Sequence, residues 1–213
     1  MESHVIPLKE KMSKLISLIG TSGSGKTTVH EKIAFQLEIE GYRVEKIIEP
    51  HPLRDLAKSY RLRIDKNPWT EAAIFTTDRL ITYHDRILPR MKEEKLIFLS
   101  ARNFFDTIIY QGILGGVDLE TIKKMNSAIP YPDLTLALVV DGEIGYERLR
   151  IREKETGEVL SKNETPEMIN QLRDYYHRLP HLFSGVPIHI LNTSQLNEEE
   201  TFRTCYDHIG KIL

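Results

Sequence analysis

The chain has 213 residues, a length that one α/β domain with a movable flap can fill. Hydrophobic residues make up 40% and charged residues 28%, which excludes a disordered chain. The formal net charge of -2, from 29 Lys plus Arg against 31 Asp plus Glu, excludes a surface built for general polyanion binding, so any anionic ligand must meet a local cluster of cations. The single cysteine, Cys205, cannot close an internal disulfide, and no apolar run reaches the roughly 18 residues of a membrane span. Residues 1–13 lack the apolar core of a signal peptide and read as a polar tail before a single domain over residues 14–213. A cytoplasmic protein with neither a membrane nor a nucleic-acid polymer as partner is the expectation.

In chain order, the apolar run Leu15-Ile16-Ser17-Leu18-Ile19 predicts a buried strand, and residues 20–25 a glycine- and serine-rich turn. Val29, Ile33, Ala34 and Leu37 recur at helical spacing over residues 26–40, and Gly41 stops that helix. Residues 43–48 predict a second strand, closed by Glu49-Pro50. Residues 53–91 are mostly helical, with a break at Asn67-Pro68. A third strand follows at 96–99 and a helix at 104–114, ended by Gly115-Gly116. A fourth strand is expected at 134–140, a helix at 144–153 and a polar flap at 155–163. A helix at 168–182, a fifth strand at 188–191 and a closing helix at 198–213 complete the chain. Strands alternating with helices imply a five-stranded parallel sheet with helices on both faces.

The turn after the first strand carries Gly20-Thr21-Ser22-Gly23-Ser24-Gly25-Lys26-Thr27, a full Walker A pattern in its strand–turn–helix context. Glycines let backbone amides face a phosphate chain, and the following helix adds its positive end. With Thr28 next on the helix, this segment predicts an ATP site of P-loop type: Lys26 reaches the β- and γ-phosphates, and the Thr27 hydroxyl ligates Mg²⁺. No Asn-Lys-x-Asp segment for reading guanine follows the fourth strand, and the chain is short for a motor ATPase. A small-molecule kinase fits the length.

The remaining motifs resemble the thymidylate kinase family in order and spacing, over about residues 15–179. Glu49-Pro50 follows the second strand, and Phe75-Thr76-Thr77-Asp78-Arg79 matches the family's Phe-x-x-Asp-Arg, with Pro89 ten residues on. Arg102 follows the third strand, and Tyr110-Gln111-Gly112 comes eight residues later. Pro132-Asp133-Leu134-Thr135 opens the fourth strand, followed by Glu143, Arg148, Arg150 and Arg152, and then by Arg173, Tyr176 and Leu179.

The resemblance implies ATP- and Mg²⁺-dependent phosphorylation of dTMP to dTDP by a homodimer. It implies that Phe75 stacks on the pyrimidine, that Arg79 bonds the base edge and that Glu49, Thr107 and Gln111 belong to the same substrate site. Tyr110 then packs on the sugar and Arg102 grips the acceptor phosphate. Arg148 and Arg152, four apart on one helix face, belong to a lid over about residues 149–164. With Lys26 and Arg102 they make up the catalytic charge, and Glu164 is a further metal candidate. Each position has a plainer alternative: a core aromatic at Phe75, a half-buried helix tyrosine at Tyr110, a surface ion pair of Arg79 with Asp78 or Asp85, and a solvated basic face at Arg148 and Arg152.

The sequence departs from the family pattern at Ser22, where an acidic residue is usual, at Ile48, at His51-Pro52 and at Ala101, where an aspartate normally helps hold the metal. Glu49, Asp106 and Glu164 are candidate replacements. Two other functions stay open at this level. One is a divergent deoxynucleoside or nucleotide kinase, in which Glu49 is the general base. The other is a nucleotide-binding protein with little transfer activity.

Overall fold

In the computed structural model, which describes residues 12–161 and 164–213, five strands form one sheet in the order β2-β3-β1-β4-β5. β1 is Lys14–Gly20, β2 Arg43–Ile48, β3 Leu96–Ala101, β4 Leu134–Val139 and β5 Ile188–Asn192. β2 runs parallel to β3, and β4 parallel to β5. The expected α/β class with a parallel sheet is found. β1, β3 and β4 are buried almost throughout, which is why they read as unbroken apolar runs. The edge strands β2 and β5 keep polar residues such as Lys46 and His189 exposed.

The chain divides into two compact units, one of residues up to 17 and 37–133, the other of residues 18–36 and 134–213. The first holds β2, β3 and the start of β1, with α2 (Arg54–Arg61), α3 (Pro68–Thr82), α4 (Phe104–Thr107) and α5 (Leu119–Met125). The break expected at Asn67-Pro68 is the cap of α3: the Asn67 side chain accepts from the Trp69 amide at 2.8 Å, and Pro68 occupies the first helical turn. α3 runs on as a π-helical turn (Tyr83–Ile87), and α4 as a longer π-helical segment (Ile108–Leu114). Leu15, Ile47, Tyr83, Ile87, Met91, Leu96 and Phe98 form a core cluster of this unit. Most of the expected tail lies in residues 1–11, outside the described residues. Ser13 at its end is buried, and its amide and hydroxyl both donate to the Met91 carbonyl.

The second unit holds the end of β1, most of α1 (Lys26–Ile39), β4 and β5, with α6 (Gly142–Thr156), α7 (Pro166–Leu182) and α8 (Glu198–Gly210). α6 runs three residues beyond the expected 153 and stops at Gly157, whose φ of 72° is the left-handed conformation that ends helices. Of the expected lid, residues 162–163 lie outside the described ones. Val140, Leu149 and Ile169 form a cluster against which Ile144, Tyr146 and Leu160 pack. Among the described residues no helix is long and apolar enough to cross a membrane.

Candidate active site

Parallel α/β sheets place ligand-binding residues just past the carboxyl ends of their strands. The P-loop follows β1, Glu49 follows β2 and Arg102 follows β3.

In the second unit the P-loop leaves β1 under tight constraint. The Thr21 amide donates to the Leu138 carbonyl at 3.0 Å, and the Thr21 hydroxyl accepts from the Val140 amide at 3.2 Å. Gly20 and Gly23 have φ of 134° and 75°; a side chain at either would strike backbone, that of Leu138 and of Gly145 respectively. Lys26 lays its ammonium against the Thr21 carbonyl at 2.5 Å and the Ser24 hydroxyl at 3.4 Å. The Thr27 and Thr28 side chains at the start of α1 are exposed. The expected nucleotide-binding residues Gly20 to Thr28 therefore form one built loop.

Arg148 sits on α6 with its guanidinium turned to the loop after β5. It donates to the Thr193 carbonyl at 3.0 Å, the Leu196 carbonyl at 3.2 Å and the Gly23 carbonyl at 3.4 Å. Beside it is a cavity of about 240 Å³ lined by residues including Ser24, Thr28, Arg148, Asn197 and Thr201. Arg152, one turn on, is exposed and paired with Glu158 at 3.4 Å. Arg150 is exposed too, pairs with Glu153 at 3.5 Å and lies over the Tyr146 ring at 5.9 Å. Glu164 accepts from the Ser161 amide at 2.8 Å, a bond that closes the loop between α6 and α7.

In the first unit, Glu49 at the end of β2 and Arg79 on α3 form a buried pair, their side chains 10% and 7% exposed. The Arg79 Nε donates to both Glu49 oxygens at 3.0 Å and Nη2 to one of them at 2.7 Å. Nη1 donates to the Asn126 Oδ1 at 2.7 Å, and Nη2 also reaches the Thr107 hydroxyl at 3.3 Å. The surface ion pair considered for Arg79 is not what forms. Asp78 turns the other way and accepts from the amides of His51 and Leu53, at 3.0 and 2.8 Å, fixing the chain after Glu49-Pro50. Burial raises the Glu49 pKa, with smaller contributions from Asp106 and Asp78, and outweighs the pull of Arg79.

Phe75 is 8% exposed, and the Arg61 guanidinium stands over its ring at 4.8 Å. Crowding by protein atoms and then the cation of Arg102 lower the Arg61 pKa, while Glu71, Tyr110 and Asp106 act the other way. Arg61, Arg102, Tyr110 and Asp106 thus share one electrostatic neighbourhood. Arg102 is exposed and holds φ of 76°, a strained value for a residue with a Cβ; the Ser100 hydroxyl bonds its carbonyl at 2.5 Å. Gln111 is buried and donates to Glu71 at 3.2 Å. Asp106 accepts from the Asn103 amide at 2.9 Å, while the Asn103 side chain accepts from Phe105, so this carboxylate caps α4.

The expected substrate residues Glu49, Phe75, Arg79, Arg102, Thr107, Tyr110 and Gln111 all lie in this one unit. Sequence reasoning missed Arg61 and Asn126. Arg61 had a weak signal as the last cation of Arg54, Lys58 and Arg61 on α2. Asn126 had none, because α5 itself was not foreseen.

The family model described as Thymidylate kinase matches residues 19–203. A probable thymidylate kinase of Archaeoglobus fulgidus is 36% identical over 141 residues, 66% of this chain and 71% of that protein. One of Pyrobaculum calidifontis is 34% identical over 164 residues, 76% of this chain and 79% of that protein. The thymidylate kinase of Wolbachia pipientis is 32% identical over 179 residues, 81% of this chain and 80% of that protein. The crystal structure of thymidylate kinase from Ehrlichia chaffeensis shares the fold with a TM-score of 0.65 at 22% identity, covering 91% of this chain and 98% of that one.

Proposed function

We infer from the two units how this chain, which belongs to the thymidylate kinase family and is a phosphotransferase that makes dTDP from dTMP, carries out the reaction with ATP as donor. The second unit holds the donor: the amides of residues 20–28 cradle its phosphates, and Lys26 leaves the Thr21 carbonyl for their oxygens. Arg148, anchored on the loop after β5, flanks the donor nucleotide. Arg152 exchanges its exposed partner Glu158 for phosphate when the lid over residues 149–164 closes and excludes water.

The first unit holds the acceptor. Arg79 bonds the thymine edge, Phe75 offers its ring, Thr107 and Gln111 line the base and Tyr110 the sugar, while Arg102 and Arg61 grip the phosphate in their planar forks. Both Glu49 oxygens accept from Arg79, so this carboxylate orients a cation and does not serve as a base.

Mg²⁺ fits this donor set in a restricted way. An exposed Thr27 hydroxyl and the nucleotide's own oxygens suit a hard cation that keeps several waters, although Ser22 and Ala101 offer no carboxylate. When bound, Mg²⁺ neutralises phosphate charge. A cytoplasmic homodimer completes the reading and is carried over from the family resemblance.

One observation carries the acceptor assignment: a buried guanidinium held by Glu49, Asn126 and Thr107, the fixed orientation that base recognition needs. The test is ADP release with Mg-ATP and a panel of dTMP, dUMP and thymidine. Turnover highest with dTMP is expected. ATP binding without dTMP-dependent turnover would overturn the reading.

A further inference from the structure

The first unit contains a second space that the reaction does not use. A cavity of about 380 Å³ is walled by apolar side chains, among them Ile87, Phe104, Ile129 and Tyr131. That volume lies within the roughly 300–1,000 Å³ of small-molecule sites. Phe75, Arg102, Thr107, Tyr110 and Gln111 do not line it, so it extends away from the base, sugar and phosphate positions and shares only the Glu49–Arg79 pair with the acceptor site, Asn126 forming part of the same wall.

Two features point to a ligand. Thr82 lines the cavity with only 2% exposure, and its Oγ1 has no hydrogen-bond partner. An unpaired buried hydroxyl carries a desolvation penalty that a ligand with a matching donor or acceptor removes. The charged lining is also unbalanced: Arg79, Lys123 and Lys124 stand against Glu49 alone. Glu49 is already committed to Arg79, and Lys123 pairs with Glu120 at 2.7 Å. Lys124, exposed on α5, adds positive charge next to an apolar interior bordered by the Phe104 and Tyr131 rings, 5.6 Å apart and tilted by 43°.

We propose that this cavity binds a small aromatic acid. Its ring enters the apolar interior, a polar group beside the ring pairs with Thr82 Oγ1, and its anionic group lies by Lys123 and Lys124. Because Arg79 and Asn126 stand in the wall, occupancy shifts the Arg79 guanidinium and changes the affinity for dTMP. That coupling rests on the acceptor role given to Arg79, whereas binding itself does not.

The probe is 8-anilinonaphthalene-1-sulfonate, titrated by fluorescence into the full chain without nucleotide. Saturable binding at one site is expected, and it persists with saturating ATP. Thr82→Val keeps the shape and should weaken binding about two- to tenfold, the loss of one hydrogen bond. Lys124→Glu should weaken it as well, and Ile129→Trp should fill the space and abolish it. Absence of saturation, or unchanged binding in both Thr82→Val and Ile129→Trp, overturns the site. Displacement by dTMP together with equal weakening by Phe75→Ala also overturns it, by placing the probe in the acceptor site. With the probe bound, the KM for dTMP should move while the KM for ATP stays constant. If binding follows the variants but KM does not move, the site stands and the coupling falls. A chain inactive on dTMP would still report the binding arm, so failure of the acceptor reading is separately visible.

Discussion

Arg79→Lys tests the acceptor site most directly. Lysine keeps the charge but has no planar fork, so it cannot bond both Glu49 oxygens, Asn126 and Thr107 at once. At least one charge-assisted bond is lost, about 1.5–3 kcal/mol, and the buried Asn126 carbonyl oxygen is left unpaired at about 1–3 kcal/mol. Allowing for partial replacement by the ammonium, the sum is about 3–4 kcal/mol, which lowers the Tm of a chain of this size by roughly 6–16 °C. The same loss of orientation should raise the KM for dTMP about tenfold or more, since each 1.4 kcal/mol is a factor of ten, and leave the KM for ATP within about twofold. Thermal melting by circular dichroism and initial rates against each substrate read both effects. A Tm within about 2 °C of the parent, or KM values for dTMP and ATP that rise together, would refute the reasoning. Arg79→Met adds a check of sign. The Glu49 pKa is already raised by burial, and removing its cation raises it further. A raised carboxyl penalises the folded state at neutral pH and relieves it as pH falls through the folded pKa, so Arg79→Met should recover stability, relative to the parent, on going from pH 8 to pH 5.

Lys26→Ala should lower kcat by about two orders of magnitude or more while the protein stays folded, because the lysine's bonds to the Thr21 carbonyl and the Ser24 hydroxyl lie within the P-loop; near-normal kcat with saturating ATP would remove it from the charge-neutralising role. Ala101→Asp should raise kcat about tenfold, one step of added electrostatic stabilisation around the metal, because Glu49 and Asp106 are occupied elsewhere; a fall in kcat would show that another group has taken the metal role. The His208 ring lies 4.4 Å from that of His189, and burial followed by the charge of His189 lowers its pKa. A lowered histidine is neutral when folded and protonates more readily when unfolded, so stability should decline as pH falls below about 6.5 and be flat above about 7.5. Urea midpoints across that range should decline less steeply in His208→Gln, and coincident slopes for parent and variant would dismiss the pair as a source of acid sensitivity.

The P-loop was legible because it is local: eight consecutive residues carry the turn, the cation and the helix start, and the structure only adds what Gly20 and Gly23 touch. β1, β3 and β4 were legible because burial on both faces leaves an apolar run. Arg79 and Glu49 were both singled out, but their pairing was not, because the two are thirty positions apart and Asp78 is a nearer carboxylate. Only the fold shows that Asp78 is taken by the amides of His51 and Leu53. α5 escaped because seven residues with Leu119, Ile122 and Met125 as their apolar positions give too short a periodic signal, and Asn126 at its end was lost with it.

The acidic residues near the acceptor explain what kind of active site remains without carboxylates at positions 22 and 101. Asp78 holds a loop through backbone amides, Asp106 caps α4, and Glu49 orients Arg79. Each of these three carboxylates is thus spent on placing a backbone segment or a cation. Asp106 and Glu71 also oppose the lowering of the Arg61 pKa by crowding and Arg102, so negative charge there supports two exposed guanidines that would otherwise repel each other. Glu164 is likewise engaged, closing the loop before α7. Mg²⁺, if it serves here, would be held by the Thr27 hydroxyl together with the nucleotide's own oxygens and would supply charge neutralisation there. The burden of stabilising charge in phosphoryl transfer then shifts towards the side-chain cations, which is why substitutions at Lys26, Arg102 and Arg61 should cost more kcat here than any single acidic substitution.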